Sequence, residues 1–301
     1  MDAPDPAPDH LDRLLARCDF PPSGTAVTCA VSGGPDSLAL LALAVHAGCA
    51  VTAVHVDHGL RSGSAEEAGV VRRASERFGA RFRAERVVVE PGPNLEARAR
   101  AARYAALPPE ALTGHTADDQ AETVILNLVR GAGLDGLAGM GPGRRPLRAL
   151  RRRETAALCA SLGLEPVTDP SNLDPAIRRN RVRHEVVPLL DAIAQRDVVP
   201  VIARQADLVR ADVRLLDDLA GAIDPTDAAA VAAAPAPLGR RAVRQWLRTA
   251  GPGGGERYAP SAAATERVLA VARGDAVACE LAGGWRVARS QGRLRVEPPA
   301  G

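Results

Sequence analysis

The hydrophobic pattern divides the chain into two stretches of different kind. In the first, compact apolar runs of strand length alternate with longer segments of helical spacing. Thr25–Val31 and Ala50–Val56 are short and rich in β-branched residues, as expected of buried strands. Leu38–Ala47 reads as an apolar helix between them, and Leu11–Arg17 as a short helix ahead of them. Ser64–Phe78 has a helical period, with Ser64 as N-cap and Glu67 as its capping-box partner. Arg83–Val89 alternates like a strand. Asn94–Leu107 reads as a helix capped by Asn94, Ala111–Leu112 as the stub of a strand, and Ala117–Arg130 as a helix that stops at Gly131. Alternating strands and helices imply parallel strands with helical crossovers, so the predicted fold class is α/β with a doubly wound parallel sheet. Ligands of such sheets bind at the carboxyl ends of the strands.

Beyond Gly131 the alternation stops. Gly131–Gly143 is a Gly-rich loop, and Arg144–Arg153 holds six Arg in ten residues. Val198–Leu219 reads as a long amphipathic helix and Asp224–Pro237 as an Ala/Pro/Asp linker. Leu238–Gly301 suits a small α+β domain, with helices near Arg240–Thr249 and Ser261–Ala272. Short strands near Ala276–Leu281, Trp285–Arg289 and Arg293–Val296 follow. The expected division is therefore a tail and short helix over 1–22, a catalytic domain over 23–195, a helical connector and linker over 196–237, and a small C-terminal domain over 238–301.

Composition narrows the chemistry. Aromatic residues make up only 2% of the chain, so its cores must be built from Ala, Val and Leu. All 38 basic residues are Arg, because the sequence contains no Lys. A lysine Schiff base and a lysine phosphate clamp are excluded, and cationic contacts fall to planar, bidentate guanidinium groups. With a net charge of only +2, a nucleic-acid partner would need local basic patches. The five cysteines, Cys18, Cys29, Cys49, Cys159 and Cys279, form no C-x-x-C pair, which argues against a zinc ribbon, an iron–sulfur cluster or a disulfide framework. No apolar run is long enough to span a membrane. The acidic, Pro-rich start MDAPDPAPDH is the opposite of a signal peptide, which points to the cytoplasm.

Three motifs fall just after predicted strands. SGGPDS, Ser32–Ser37, joins a strand to a helix. Gly33 and Gly34 let the backbone bend and approach a ligand, and Pro35 suits a first helical turn. Their N–H groups, with the Ser32 and Ser37 hydroxyls, would cradle an anion at the positive helix end. The Walker pattern and its lysine are absent. Asp36 would repel phosphate unless Mg²⁺ lay between them. HVDHGLR, His55–Arg61, offers His55, Asp57 and His58 either as metal ligands, or as a plain strand end and turn, or, as expected here, with Asp57 and His58 on the edge of a nucleotide site. TGHTADDQAET, Thr113–Thr123, adds His115 to that nucleotide edge and sets Asp119 and Glu122 three apart on one helix face. These two acids either complement the helix dipole or form a pocket for a cationic group such as the ammonium of lysine. Arg178, Arg179, Arg181 and Arg183 of RRNRVRH are expected to contact RNA phosphates.

SGGPDS resembles the pyrophosphate loop of the ATP pyrophosphatase, or PP-loop, superfamily, which cleaves ATP between the α and β phosphates. Taken with HVDHGLR, NLEARARAARYAAL, TGHTADDQAETVILNLVRGAGLDGLAGM and DPSNLDPAIRRNRVRHEVVPLL, the chain resembles the tRNA(Ile)-lysidine synthase family over roughly residues 25–190. RRAVRQWLR and GGWRVARSQGRLRV resemble that family's small substrate-binding domain. The stretches 105–113 and 139–148 are shorter than is usual in the family. The resemblance implies an ATP-dependent ligase. It would adenylate the wobble cytidine of the CAU-anticodon isoleucine tRNA and then let L-lysine displace AMP. It further implies that Ser32–Ser37 hold ATP, that Asp36 ligates Mg²⁺ and that Asp119 and Glu122 recognise lysine. Arg100 or Arg103 would lie near the reacting cytidine. A PP-loop tRNA thiolase and a small-molecule nucleotide amidotransferase are the competing readings; the first normally relies on reactive Cys pairs. A homodimer is compatible with the sequence and not required by it.

Overall fold

The computed structural model describes residues 8–57, 64–87, 98, 101–102, 105–251 and 260–299. They fall into two compact units, Met1–Asp207 and Leu208–Gly301.

The first unit opens with α1 (Pro8–Leu15), followed by β1 (Ala26–Ala30), α2 (Pro35–His46), β2 (Ala50–Asp57), α3 (Ser64–Arg77), β3 (Arg81–Arg86) and the two-residue β4 (Leu112–Thr113). The sheet is wholly parallel, in the order β3-β2-β1-β4. Its order turns at β1, and the loop after β1 therefore lies at the switch point where ligands of such sheets bind. Leu38–Ala44 of α2 are all buried and share one core with Cys29, Val51 and Ala53 of the strands and Leu147, Leu150 and Leu158 beyond them. A helix apolar all round is a buried helix, and this one fixes the loop before it against the sheet.

After β4 come α4 (Ala117–Val129), the single turn α5 (Leu134–Leu137) and α6 (Arg152–Ser161). A 3₁₀ turn at Pro170–Leu173 follows, its entry capped by Asp169 through a 2.8 Å bond from the Ser171 N–H. Then α7 (Arg178–Arg181) runs through a π-helical turn, Val182–Val186, into α8 (Val187–Ala194). Gln195, left-handed at φ 52°, ends this run, and the 23-residue α9 (Val199–Gly221) follows.

The second unit holds α10 (Ala228–Ala233), α11 (Ala236–Ala250), α12 (Ala262–Arg273) and the antiparallel sheet β5 (Ala278–Glu280), β6 (Arg286–Ser290), β7 (Arg293–Glu297). Val231, Leu247, Val268, Val287 and Leu294 form its core, with Trp246 and Trp285 packed at the side. The stretch Asp224–Pro237 differs from the linker expected of it. Asp227 caps α10 by accepting the Ala229 and Ala230 N–H groups, and Ala228 and Val231 are buried. An Ala-rich segment has few apolar side chains large enough to betray such burial in sequence. The helix expected over Asn94–Leu107 falls largely outside the described residues. Among the described residues no helix is long and apolar enough to cross a membrane.

Candidate active site

The loop after β1 is shaped by its own short side chains. Ser37 Oγ donates to the Gly34 carbonyl at 2.8 Å and accepts the Ser32 N–H at 3.1 Å, which folds Ser32–Ser37 back on itself. Gly33 has φ +90°, and a Cβ there would meet Val167 Cγ2 at 3.1 Å. Gly34 stands at the N-cap of α2 with no side-chain cap, and Pro35 opens the helix. An uncapped helix start preceded by a tight loop is suited to an anion. The motif after β4 closes on the same spot: a Cβ on Gly114 would lie 2.5 Å from the Asp36 carbonyl oxygen, so only glycine fits.

Asp36 lies in the first turn of α2, where Thr155 Oγ1 donates to Oδ1 and Arg152 Nε approaches Oδ2 at 3.4 Å. Burial pushes its pKa up to about 6, although Thr155 and Arg152 pull the other way. Its hard oxygen, with the Ser32 and Ser37 hydroxyls nearby in the chain, is a donor set suited to Mg²⁺. Among the described residues no group of three or more His, Cys, Asp or Glu gathers to hold a metal. A single protein carboxylate is typical where substrate phosphates complete the Mg²⁺ shell.

Asp119 and Glu122 sit on α4 beside it. Asp119 serves two ends at once. Its Oδ2 caps α4 by accepting the Thr116 N–H at 2.8 Å and hydroxyl at 3.1 Å. Its Oδ1 accepts Arg152 Nη2 at 3.0 Å and Arg179 Nη2 at 3.3 Å. Burial alone would raise the Asp119 pKa, but Arg152, Arg179 and His115 outweigh it and the net shift is downward. Glu122 is only 1% exposed. Its Oε1 accepts Arg152 Nη1 at 3.0 Å and Arg183 Nε at 2.8 Å, and its Oε2 accepts Arg179 Nε at 2.6 Å and Arg183 Nη2 at 3.3 Å. The neighbouring Asp118 instead grips Arg151 through Nε and Nη2 at 3.1 and 3.0 Å and accepts the Arg152 N–H at 2.7 Å, which ties the start of α6 to α4.

The four arginines of RRNRVRH divide into two kinds. Arg179 and Arg183 are four apart and turn into the acids, whereas the row expected on RNA would face outward. Arg178 and Arg181 are exposed, and Arg181 pairs with Glu185 on its own helical run. Part of the other basic run is also drawn inward: Arg148 pairs with Asp207, and Arg151 with Asp118 and Asp197, whereas Arg144 and Arg153 are exposed. Sequence reasoning missed Arg152 and Thr155 as members of the site.

At the edge expected to take the nucleotide, His115 Nδ1 lies 2.7 Å from Thr113 Oγ1, and Asp57 ends β2. His55 is buried with Nδ1 3.0 Å from the Val31 carbonyl, so that nitrogen carries the proton. His58, Arg100 and Arg103 lie outside the described residues. The cysteines are free. Burial pushes the thiols of Cys18, Cys29 and Cys159 up to about 12, which makes them poor nucleophiles.

Comparison with known proteins agrees with this arrangement. A PP-loop domain family matches residues 9–190, and the TilS substrate binding domain matches residues 227–295. The tRNA(Ile)-lysidine synthase of Nocardia farcinica is 43% identical over 259 residues, covering 80% of this chain and 81% of that protein. The one of Salinispora arenicola is 42% identical over 309 residues, covering 92% of each. Among solved structures, the U34-tRNA thiolase NcsA from Methanococcus maripaludis superposes with a TM-score of 0.54 at 18% identity, over 67% of this chain and 79% of that one. At that identity the likeness is one of fold.

Proposed function

The chain belongs to the tRNA(Ile)-lysidine synthase family, and from that premise we propose that it is an ATP-dependent ligase joining L-lysine to the wobble cytidine of the CAU-anticodon isoleucine tRNA. In the first half of the reaction the cytidine 2-oxygen attacks the α-phosphorus of ATP and pyrophosphate leaves. In the second, the ε-amine of lysine attacks cytidine C2, AMP leaves and the amine gives up a proton.

The observation that carries this reading is the union of Asp36 with Asp119 and Glu122 around one guanidinium, that of Arg152. It sets a phosphate cradle with a metal-suited carboxylate directly beside two acids suited to an amine. Ser32–Ser37 would hold the departing pyrophosphate. Mg²⁺, bound at Asp36, would neutralise charge on the phosphates. Asp119 and Glu122 would orient the lysine amine. Arg178 and Arg181, the two exposed arginines of their run, would contact anticodon-stem phosphates, and the second unit would help select the tRNA. The thiolase reading fares worse, because the described cysteines that burial raises most cannot supply a thiolate at neutral pH.

The decisive assay is transfer of radiolabelled lysine, with ATP, to a CAU-anticodon isoleucine tRNA and to a CAU-anticodon methionine tRNA. Label should enter the isoleucine tRNA alone. Label in neither tRNA, with ATP still cleaved, would overturn the assignment.

A further inference from the structure

Three carboxylates and three guanidinium groups meet in the acidic cluster, and one guanidinium touches all three carboxylates. Arg152 reaches Asp36 at 3.4 Å and Asp119 and Glu122 at 3.0 Å each. Arg179 contacts only Asp119 and Glu122 of these acids, and Arg183 only Glu122. The cluster is therefore neutral as it stands. Both oxygens of Glu122 already accept two guanidinium bonds. One oxygen of Asp119 is spent on the cap of α4 and the other on Arg152 and Arg179. A lysine ammonium arriving here would be a fourth cation facing three satisfied anions.

We propose that Arg152 is a positioning residue that holds the place of the substrate amine at Asp119 and Glu122 and yields it once the site at Asp36 is filled. This rests on the reading of those two acids as the lysine-binding pair. Of the three arginines, Arg152 is the one placed to move. Its contact with Asp36 is the longest in the cluster and beyond good hydrogen-bond length. It is the first residue of α6, where the positive end of the helix disfavours a cation, so the acids alone hold its head in place. Its side chain is 24% exposed, which leaves it a way out, as Arg179 at 28% and Arg183 at 22% also have, so its position at the helix start and its long contact with Asp36 set it apart. A divalent cation at Asp36 would remove one of its three partners and repel its guanidinium. Lysine binding is thereby made conditional on bound nucleotide and metal, so that the amine site opens only when the cytidine can be activated.

The test is lysine binding to the full chain by calorimetry, with and without Mg²⁺ and a non-hydrolysable α,β-methylene ATP analogue. Wild-type protein should bind lysine roughly tenfold tighter with the analogue, within the usual range for coupled sites. Arg152→Gln should bind lysine about that tightly in both conditions, because the cluster is then left with excess negative charge. Arg179 and Arg183 still compensate Glu122 in that variant. Arg152→Lys, which keeps the charge, should retain the weak nucleotide-free affinity. A residue that merely supports the fold would weaken binding in both variants. Unchanged or weaker lysine binding in folded Arg152→Gln overturns the proposal, and so does a wild-type affinity indifferent to Mg²⁺ and the analogue. Glu122→Gln separates the two levels: if it leaves lysine affinity with the analogue unchanged, the acid pair is not the lysine site, whatever Arg152 does.

Discussion

Replacing Asp36 by Asn should make the protein more stable and inactive at once. The Asp36 side chain is 23% exposed, and burial lifts its pKa from 3.8 to about 6, against the pull of Thr155 and Arg152. That difference corresponds to about 3 kcal/mol. The sign follows from which state ionises first. Below pH ~4 the folded and unfolded chains both carry the proton and nothing is lost. As pH rises, the unfolded chain ionises while the folded one holds its proton, so stability falls until about pH 6 and stays lower above it. Asn never ionises. Asp36→Asn should therefore match wild type near pH 4 and exceed it by about 3 kcal/mol at pH 7.5. For a unit of this size that is roughly 6–12 °C in melting temperature. Pyrophosphate release should be lost at the same time, since Asn cannot replace the carboxylate toward Mg²⁺. Melts at both pH values, each paired with a pyrophosphate assay, read the trade-off directly. A variant that melts below wild type at pH 7.5 would refute the reasoning: Asp36 would then be stabilised by its partners more than burial penalises it.

Three further outcomes follow from the geometry. Glu122→Gln should raise the KM for lysine about ten- to a hundredfold, the worth of a charge-assisted hydrogen bond, with little change in the KM for ATP; equal effects on both would make the acid part of the nucleotide site. Paired Arg178→Gln and Arg181→Gln should flatten the salt dependence of tRNA binding by up to one unit of slope per lost contact. Arg179→Gln and Arg183→Gln should leave that slope alone and disturb lysine binding, and a filter-binding salt series distinguishes the pairs. Leu247→Ala, in the core of the second unit, should cost about 2–5 kcal/mol. Its calorimetric trace should show that unit melting early and the first unit unchanged, and a single shifted transition would mean the two units unfold together.

Most of the fold was legible because its elements are patterned locally. The apolar runs that became β1 and β2 are short and carry β-branched residues, and α2 is apolar all round. The cradle was legible too, since Gly33, Gly34 and Pro35 each answer a backbone need of the turn. The partners of the arginines were not. A run such as RRNRVRH reads as a solvated or RNA-facing surface when its residues are counted, yet Arg179 and Arg183 stand four apart, as do Val182 and Val186. That spacing puts two cations on the side that turns inward, and the π-helical turn at Val182–Val186 carries the phase onward. The spacing was a usable signal. Their target was not, because Glu122 lies far away in sequence and only the folded chain brings it within 2.6 Å of Arg179. Arg152 was hidden for the same reason: it sits in a run of basic residues, and nothing local says that one of them faces three acids.

The absence of lysine from the chain gives the cluster a further meaning. The cations that pair with Asp36, Asp119 and Glu122 are all planar guanidinium groups, which bind carboxylates through directional donors. The ε-ammonium of the lysine proposed as substrate is a compact point charge with three donors and a pKa near 10.4, and it must shed a proton before it can attack. A pocket of bare carboxylates would stabilise the ammonium and oppose that loss. A pocket that Arg152 has yielded to the amine is still balanced by Arg179 and Arg183, and it offers the acceptors that Arg152 gave up at no net charge. It can therefore orient the amine without strengthening its hold on the proton. The side chains of the protein offer no ammonium of their own to compete for the activated cytidine, so the substrate brings the only side-chain amine into the site.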